Sequence, residues 1–198
     1  PPPPPPLPPL PHRPPPPAIT RRSDPNCFSR HRNSVTLHHH LDALEPIADA
    51  LAAVGIRRCV ASFVDLYPKL RKRLRGTDLA LEDPPLDIKV ETLTAMAAAL
   101  RKRQIVLHIC CEQAILDALP VDIGIRSGAC IPGPLLAALF GGGFAMKKDP
   151  GQRRTQGCTC NIAADIGSYR QQPCFHDCLF CYANPQAPSR RPLNRKRS

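Results

Sequence analysis

Five cysteines crowd into residues 158–181: Cys158 and Cys160 as CxC, then, after a gap of thirteen residues, Cys174, Cys178 and Cys181 as CxxxCxxC. Thiolates this close together in a loop can converge on one soft metal centre. The three-cysteine run could bind three irons of a four-iron (4Fe-4S) cubane and leave the fourth iron open to chelate the amino and carboxylate groups of S-adenosylmethionine. Zinc is the other reading, because four ligands drawn from Cys158, Cys160, Cys174, Cys178, Cys181 and His176 would close a tetrahedral knot. Structural zinc sites usually carry two short cysteine pairs, so a CxC before a three-cysteine run leans toward the cluster, and spacing alone leaves both open. Asp165, Gly167 and Tyr169 stand just before the motif, where hydrogen bonds to the sulfurs would tune a cluster's potential.

Two further groups carry reactive side chains. Cys110, Cys111 and Glu112 follow the apolar run "QIVLHI", at the strand end where parallel α/β folds collect their ligands. Glu112 could hydrogen-bond a substrate and one of the two cysteines could give a hydrogen atom to a radical; alternatively Cys110 is a small buried hydrophobe and Glu112 begins the next helix. Asp65 and Tyr67, in "DLY", follow a second such run and could line a pocket, although Tyr67 could equally pack on a helix. His38, His39 and His40 would point about 100° apart on a helix and cannot converge on one ion, so they read as a helix face. His108 reads as a core residue, and "FGGGF" as a turn, since it lacks the strand-to-helix setting of a nucleotide loop. No Ser/His/Asp order or carboxylate pair marks a hydrolytic site.

These residues need a scaffold. Over residues 36–54 the apolar positions Leu41, Leu44, Ile47, Leu51 and Val54 recur at helical intervals up to Gly55, with Pro46 expected to kink or restart the helix. Residues 59–64 run apolar without a helical period, as a strand buried on both faces would. A short basic helix, "KLRKRLRG", and an irregular stretch, "TDLALEDPPLD", lead to a helix over 87–103 with Val90, Leu93, Met96, Ala97 and Leu100 on one face. A strand, "QIVLHIC", a helix over 112–119, the irregular "VDIGIRSGACIPG" and the helix "PLLAALF" follow, and beyond Lys147 the chain is polar and loop-like. This alternation predicts a parallel α/β layer, but with only two clear strands.

Composition bounds the rest. Thirteen of the 26 prolines lie in the first 17 positions, which cannot join a core, so residues 1–20 read as a disordered proline-rich tract. Of the net charge of +11, the first 33 residues hold five Arg against one Asp and residues 185–198 hold five basic groups and no acid. That leaves +2 for the middle, so the core is not read as a nucleic-acid binder and 185–198 reads as a basic disordered tail. No apolar run reaches the roughly 18 residues a membrane span requires, and no export signal is visible, which predicts a cytoplasmic protein with no membrane partner. Ten cysteines then suggest metal or redox chemistry rather than disulfides.

The block "CTCNIAADIGSYRQQPCFHDCLFCYANP" resembles the C-terminal end of an uncharacterised bacterial family, a domain of unknown function, whose members finish in DIGxY followed by CxxxCxxCYAN. Upstream, "RSDP" at Arg22, "CVASFVDLY" at Cys59, "HICCE" at His108 and "GACI" at Gly128 are similar to that family's RYDP, SFxDLY, CxE and GxCID segments, in the same order. The cysteine motif, with Phe180 before its last cysteine and Tyr182 after it, is also similar to that of the radical S-adenosylmethionine superfamily, to which spore photoproduct lyase belongs. The resemblance implies a 4Fe-4S cluster on Cys174, Cys178 and Cys181, with Cys158 and Cys160 as second-tier ligands and Asp165, Gly167, Tyr169, Phe180 and Tyr182 around the cofactors. It also implies S-adenosylmethionine as cofactor, a ferredoxin- or flavodoxin-like electron donor, and an unknown substrate near Cys111, Glu112, Asp65 and Tyr67. Ser23 and Pro132 depart from the pattern, the spacer "RQQP" is longer, and the family's N-terminal half has no counterpart, so the chain is expected to be truncated or frameshifted.

The expected fold is therefore α/β, a partial parallel βα (TIM-barrel-like) layer over residues 21–155, with a cysteine-rich iron–sulfur loop over 156–184 between disordered tails. The expected function is radical S-adenosylmethionine chemistry; the alternatives are a non-catalytic zinc or electron-transfer protein, or a fragment without function.

Overall fold

The computed structural model describes residues 16–31, 34–38, 41–151, 153–164, 167 and 172. A 3-10 turn, Pro16–Ala18, leads into strand β1 (Arg21–His31), which is followed by β2 (Ser34–His38), α1 (Leu41–Ala53), β3 (Arg58–Phe63), α2 (Pro68–Leu74) and β4 (Leu79–Glu82). The chain continues through α3 (Leu86–Arg101), β5 (Val106–Ile109), α4 (Gln113–Ala118), β6 (Arg126–Ser127), α5 (Gly133–Phe140) and a second 3-10 turn, Arg154–Gln156. The strands form one six-stranded sheet in the order β2-β1-β3-β5-β6, with β4 also paired to β1.

Strands β1, β3, β5 and β6 are parallel, and β2 and β4 run antiparallel to β1. Two strands were legible in the sequence and six are present among the described residues. The long polar β1 carries no apolar run; its amino half pairs with β3 and its carboxyl half with both β2 and β4. The β1–β3 register slips between Ser23 and Asn26, where Pro25 has no N–H for the ladder. Strand β4 lies inside the stretch expected to be irregular, and β6 is only two residues long. Among the described residues the sheet is open, with β2 and β6 at its ends, which bears out the α/β class as an open, mostly parallel sheet and shows no closed barrel.

Residues 36–38 belong to β2 rather than to the helix expected there, and α1 begins only at Leu41, where the helical spacing of apolar residues begins. His38 is thus a strand residue, and His39 and His40 lie outside the described residues. The helix runs through Pro46, which forgoes one backbone hydrogen bond.

Side-chain alternation gives the sheet two different faces. Cys59, Ala61 and Phe63 of β3, with Leu107 and Ile109 of β5, point into the main core against Leu44 and Ala48 of α1 and Leu93, Met96, Ala97 and Leu100 of α3. Fully burying a leucine such as Leu93 or Leu100 contributes about 1.5–3 kcal/mol. At its carboxyl end, α3 is clamped to α1 by Arg103, which donates to both carboxylate oxygens of Asp49 and to Glu45. The intervening residues, Val60 of β3 and His108 of β5, face the other way, as does Cys110 at the end of β5. No helix among the described residues is long and apolar enough to cross a membrane.

Candidate metal centre

Because β1, β3, β5 and β6 are parallel, the segments that leave β3, β5 and β6 emerge at one edge. Those segments are residues 64–67, 110–112 and 128–132. Cys110 continues the β5 alternation onto the Val60 side, and its N–H still bonds the Ala61 carbonyl at 3.1 Å. The chain then turns sharply, with Cys111 in the left-handed region at φ 60°. Next to β5, Gly128 donates its N–H to the Ile109 carbonyl at 2.8 Å, and a Cβ there would stand 2.8 Å from the His108 Cβ. That close approach requires glycine, and it sets the next turn, with Cys130, beside Cys110.

The CxC segment docks onto this turn. Thr159 donates from Oγ1 to the Gly128 carbonyl at 3.1 Å, and residues 147–149 pair with 160–162 through Asp149 N–H to Cys160 O and Ile162 N–H to Lys147 O. Asn161, 3% exposed, accepts from the Gly133 N–H at 2.9 Å and donates to the Met146 carbonyl at 2.7 Å. A Cβ on Gly133 would stand 3.0 Å from the Asn161 oxygen, so this glycine also admits a close approach.

Five sulfurs meet here in a closed ring. Cys110 Sγ lies 3.5 Å from Cys111 Sγ and 3.6 Å from Cys130 Sγ. Cys111 lies within 4.8 Å of Cys158 and Cys130 within 4.8 Å of Cys160, and Cys158 acts electrostatically on Cys160 to complete the circuit. Within the ring, Cys110, Cys111 and Cys158 lie within 4.8 Å of one another, as do Cys110, Cys130 and Cys160. These spacings are thiol contacts rather than disulfide bonds, which are about 2.05 Å long, and all five cysteines are free. All but Cys130 are buried.

The ring holds its charge at one place. Cys130 is pulled down to about 5, first by the hydrogen bond from the Cys110 thiol and then, against burial, by the Arg22 guanidinium beside it. The same bond pushes Cys110 up, and burial adds to it. Burial pushes Cys111 up to about 12, and it raises Cys160 against the backbone N–H groups that favour its thiolate. The Cys130 N–H is one of those, 3.1 Å from Cys160 Sγ.

A cavity of about 380 Å³ opens at the same edge, and Asp65, Cys111 and Glu112 line it together. Glu112 is the N-cap residue of α4, and its carboxylate accepts from the Phe63 N–H at 2.9 Å, so it both starts the helix and faces the cavity. Burial raises its pKa, opposed by that N–H and by Lys89. Asp65 is ion-paired with Arg153 of the segment leading to the CxC. Lys89 sits over the Phe63 ring at 5.5 Å and pairs with Asp83 at 2.6 Å.

Tyr67 does not line the cavity; it caps α2 and packs against the cluster of Val64, Leu70 and Leu81. His108 is buried, with Nε2 2.6 Å from an Arg58 guanidinium nitrogen. Gly141 ends α5 at φ 68°, and the "FGGGF" stretch is exposed. Gly167 is described and exposed, whereas Asp165, Tyr169, Cys174, Cys178, Phe180, Cys181, Tyr182 and His176 lie outside the described residues. So do residues 1–15 and the basic tail, 185–198. Cys158 and Cys160 meet cysteines from two other segments, and the C-terminal motif they were expected to work with lies outside the described residues. Sequence reasoning passed over Cys130 as a ligand and left Cys110 open between a reactive thiol and a small buried hydrophobe. Cys110 stood at the end of a legible strand, whereas Cys130 follows the two-residue β6, which leaves no pattern in the sequence.

An open, mostly parallel α/β sheet with a cysteine cluster able to bind a metal at its carboxyl edge is thus the class of protein that fold and site define. The chain belongs to the family described as "Domain of unknown function (DUF1848)", which matches residues 8–183. No curated protein and no solved structure matches the chain.

Proposed function

We propose that the protein is an iron–sulfur protein of radical S-adenosylmethionine type, with a 4Fe-4S cluster on Cys174, Cys178 and Cys181 and its substrate in the cavity beside Cys111 and Glu112. The observation that carries this reading is the meeting of Asp65, Cys111 and Glu112 around one cavity, at the edge where the CxC segment docks. The donor chemistry fits, since three thiolates at CxxxCxxC spacing suit three irons of a cubane and leave one open. Cys174, Cys178 and Cys181 would hold the cluster, which would supply one-electron chemistry for the reductive cleavage of S-adenosylmethionine with a ferredoxin- or flavodoxin-like protein as the reductant.

The chain's own residues bind and orient. Glu112, fixed by the Phe63 N–H, offers its second oxygen to a substrate hydroxyl or amine. Asp65, fixed by Arg153, offers another acceptor, and Cys111 presents a thiol to the same space. Phe63 and Val64 add hydrocarbon to the lining of the same cavity.

Anaerobic reconstitution with iron and sulfide, followed by electron paramagnetic resonance with and without S-adenosylmethionine, tests this. The expected result is a reduced-cluster signal that changes when S-adenosylmethionine is added and is lost in Cys178→Ala. A chain that shows no cluster signal after reconstitution refutes the reading.

A further inference from the structure

The C-terminal motif does not account for Cys110, Cys111, Cys130, Cys158 and Cys160. They come from three segments: the end of β5, the turn after β6 and the loop beyond residue 153. Local sequence cannot bring these together; the parallel sheet and the docking of residues 158–161 do so. We propose that Cys110, Cys130, Cys158 and Cys160 hold one soft divalent metal ion of zinc type in a closed four-thiolate site, separate from the C-terminal CxxxCxxC motif.

The spacing selects a single ion. With metal–sulfur bonds of about 2.3 Å, the sulfurs of a tetrahedral site stand about 3.8 Å apart. Cys110 and Cys130 are 3.6 Å apart, and Cys160 lies within 4.8 Å of both. Cys158 lies within 4.8 Å of Cys110, the sulfur common to both close groups. The thiolates of a cubane each bind a different iron and must stand farther apart than thiolates that share one ion.

The choice among the five sulfurs follows from where they face. Cys110, Cys130 and Cys160 form one close group, and Cys158 is taken as the fourth ligand because Cys111, its neighbour beside Cys110, has turned out of the strand path at φ 60° and lines the cavity. A four-thiolate site carries an excess of negative charge once a divalent ion is bound, and it needs donors around it. The surroundings supply them: the Cys130 N–H to Cys160 Sγ at 3.1 Å, a further backbone N–H at Ile131, and the Arg22 guanidinium beside Cys130. The bound ion fastens the loop that precedes the C-terminal motif to the edge of the sheet.

The inference stands apart from the proposed function, and its test uses a full-length chain that lacks the other site. Cobalt(II) and zinc are each titrated anaerobically into the Cys174→Ser/Cys178→Ser/Cys181→Ser variant. One equivalent of cobalt with the visible bands of a tetrahedral thiolate site is expected, and zinc-edge X-ray absorption should show four sulfurs at about 2.3 Å. Adding Cys130→Ser should abolish tight binding, and adding Cys111→Ser should leave one equivalent bound. Failure of the triple variant to bind metal, a coordination shell with fewer than four sulfurs, or loss of the ion on Cys111→Ser but not on Cys158→Ser overturns the proposal. An absent cluster signal in the wild type would sink the radical reading and leave this one standing, because the metal is measured here without that motif.

Discussion

The backbone N–H of Cys130 points at the sulfur of Cys160, 3.1 Å away and 30 residues distant in sequence. With the bond from Thr159 Oγ1 to the Gly128 carbonyl, this contact joins the turn after β6 to the CxC loop. The next residue along, Asn161, secures the joint with its side chain, and together they determine where the sulfurs of Cys158 and Cys160 stand.

Asn161→Ala should therefore cost stability. It leaves the Gly133 N–H and the Met146 carbonyl without their partner, and a buried group so orphaned costs about 1–3 kcal/mol. Urea denaturation should show a lower midpoint with the slope unchanged, and the thiols of Cys158 and Cys160 should react faster with an alkylating reagent.

Gly128→Ala probes the β5–β6 approach. The new methyl would meet the His108 Cβ at 2.8 Å and the Ile109 carbonyl at 3.3 Å, neither of which is the mobile end of a side chain. Overpacking of this kind costs about 1–3 kcal/mol, read as a lowered thermal midpoint. Because Cys130 lies two residues on, the same variant should also bind cobalt(II) more weakly than the wild type.

His108 should make the fold sensitive to mild acid. Burial first, and then Arg58 and Arg126, hold its pKa down to about 4, against the backbone carbonyls of Val106 and Cys59. Between the unfolded value of about 6.5 and the folded one, the unfolded chain takes up a proton that the native chain refuses, so stability falls as pH drops through that window. His108→Gln should flatten the part of the stability profile between pH 6.5 and 4, measured by denaturant titration at each pH. An unchanged profile would contradict the assignment.

Glu112 carries the opposite sign. Its pKa is raised chiefly by burial, so the native chain binds its proton more readily than the unfolded chain, and ionisation works against folding as pH rises through the raised value. Glu112→Gln keeps an acceptor for the Phe63 N–H without the charge and should raise the thermal midpoint at pH 7. Glu112→Ala leaves that N–H unpaired and should lower stability by about 1–3 kcal/mol. The pair of variants separates the carboxylate's charge from its hydrogen bond.

Local pattern was enough for the elements with strong periods. The burial of residues 59–63, the apolar face of α3 around Leu93, Met96, Ala97 and Leu100, and the short basic helix α2 closed before Gly76 were all legible. The elements that failed were those whose stability is not local. The polar β1 is a strand because β2, β3 and β4 pair with it, and the four residues of β4 and two of β6 are too few for a period to show. The helix expected from residue 36 began late because Ser34–His38 found a ladder partner in β1.

For the candidate site, the amino-acid sequence by itself determined the kinds of ligand: thiolates in a CxC and a CxxxCxxC, and an acid after a pair of cysteines at a strand end. Which thiolates meet was decided by tertiary structure. Parallel pairing sends the ends of β3, β5 and β6 to one edge, alternation turns Cys110 toward the Val60 side, and the absence of a side chain at Gly128 lets the turn with Cys130 close against it. Sulfurs up to 50 residues apart in the chain thereby become neighbours, a relation that spacing along the sequence does not encode.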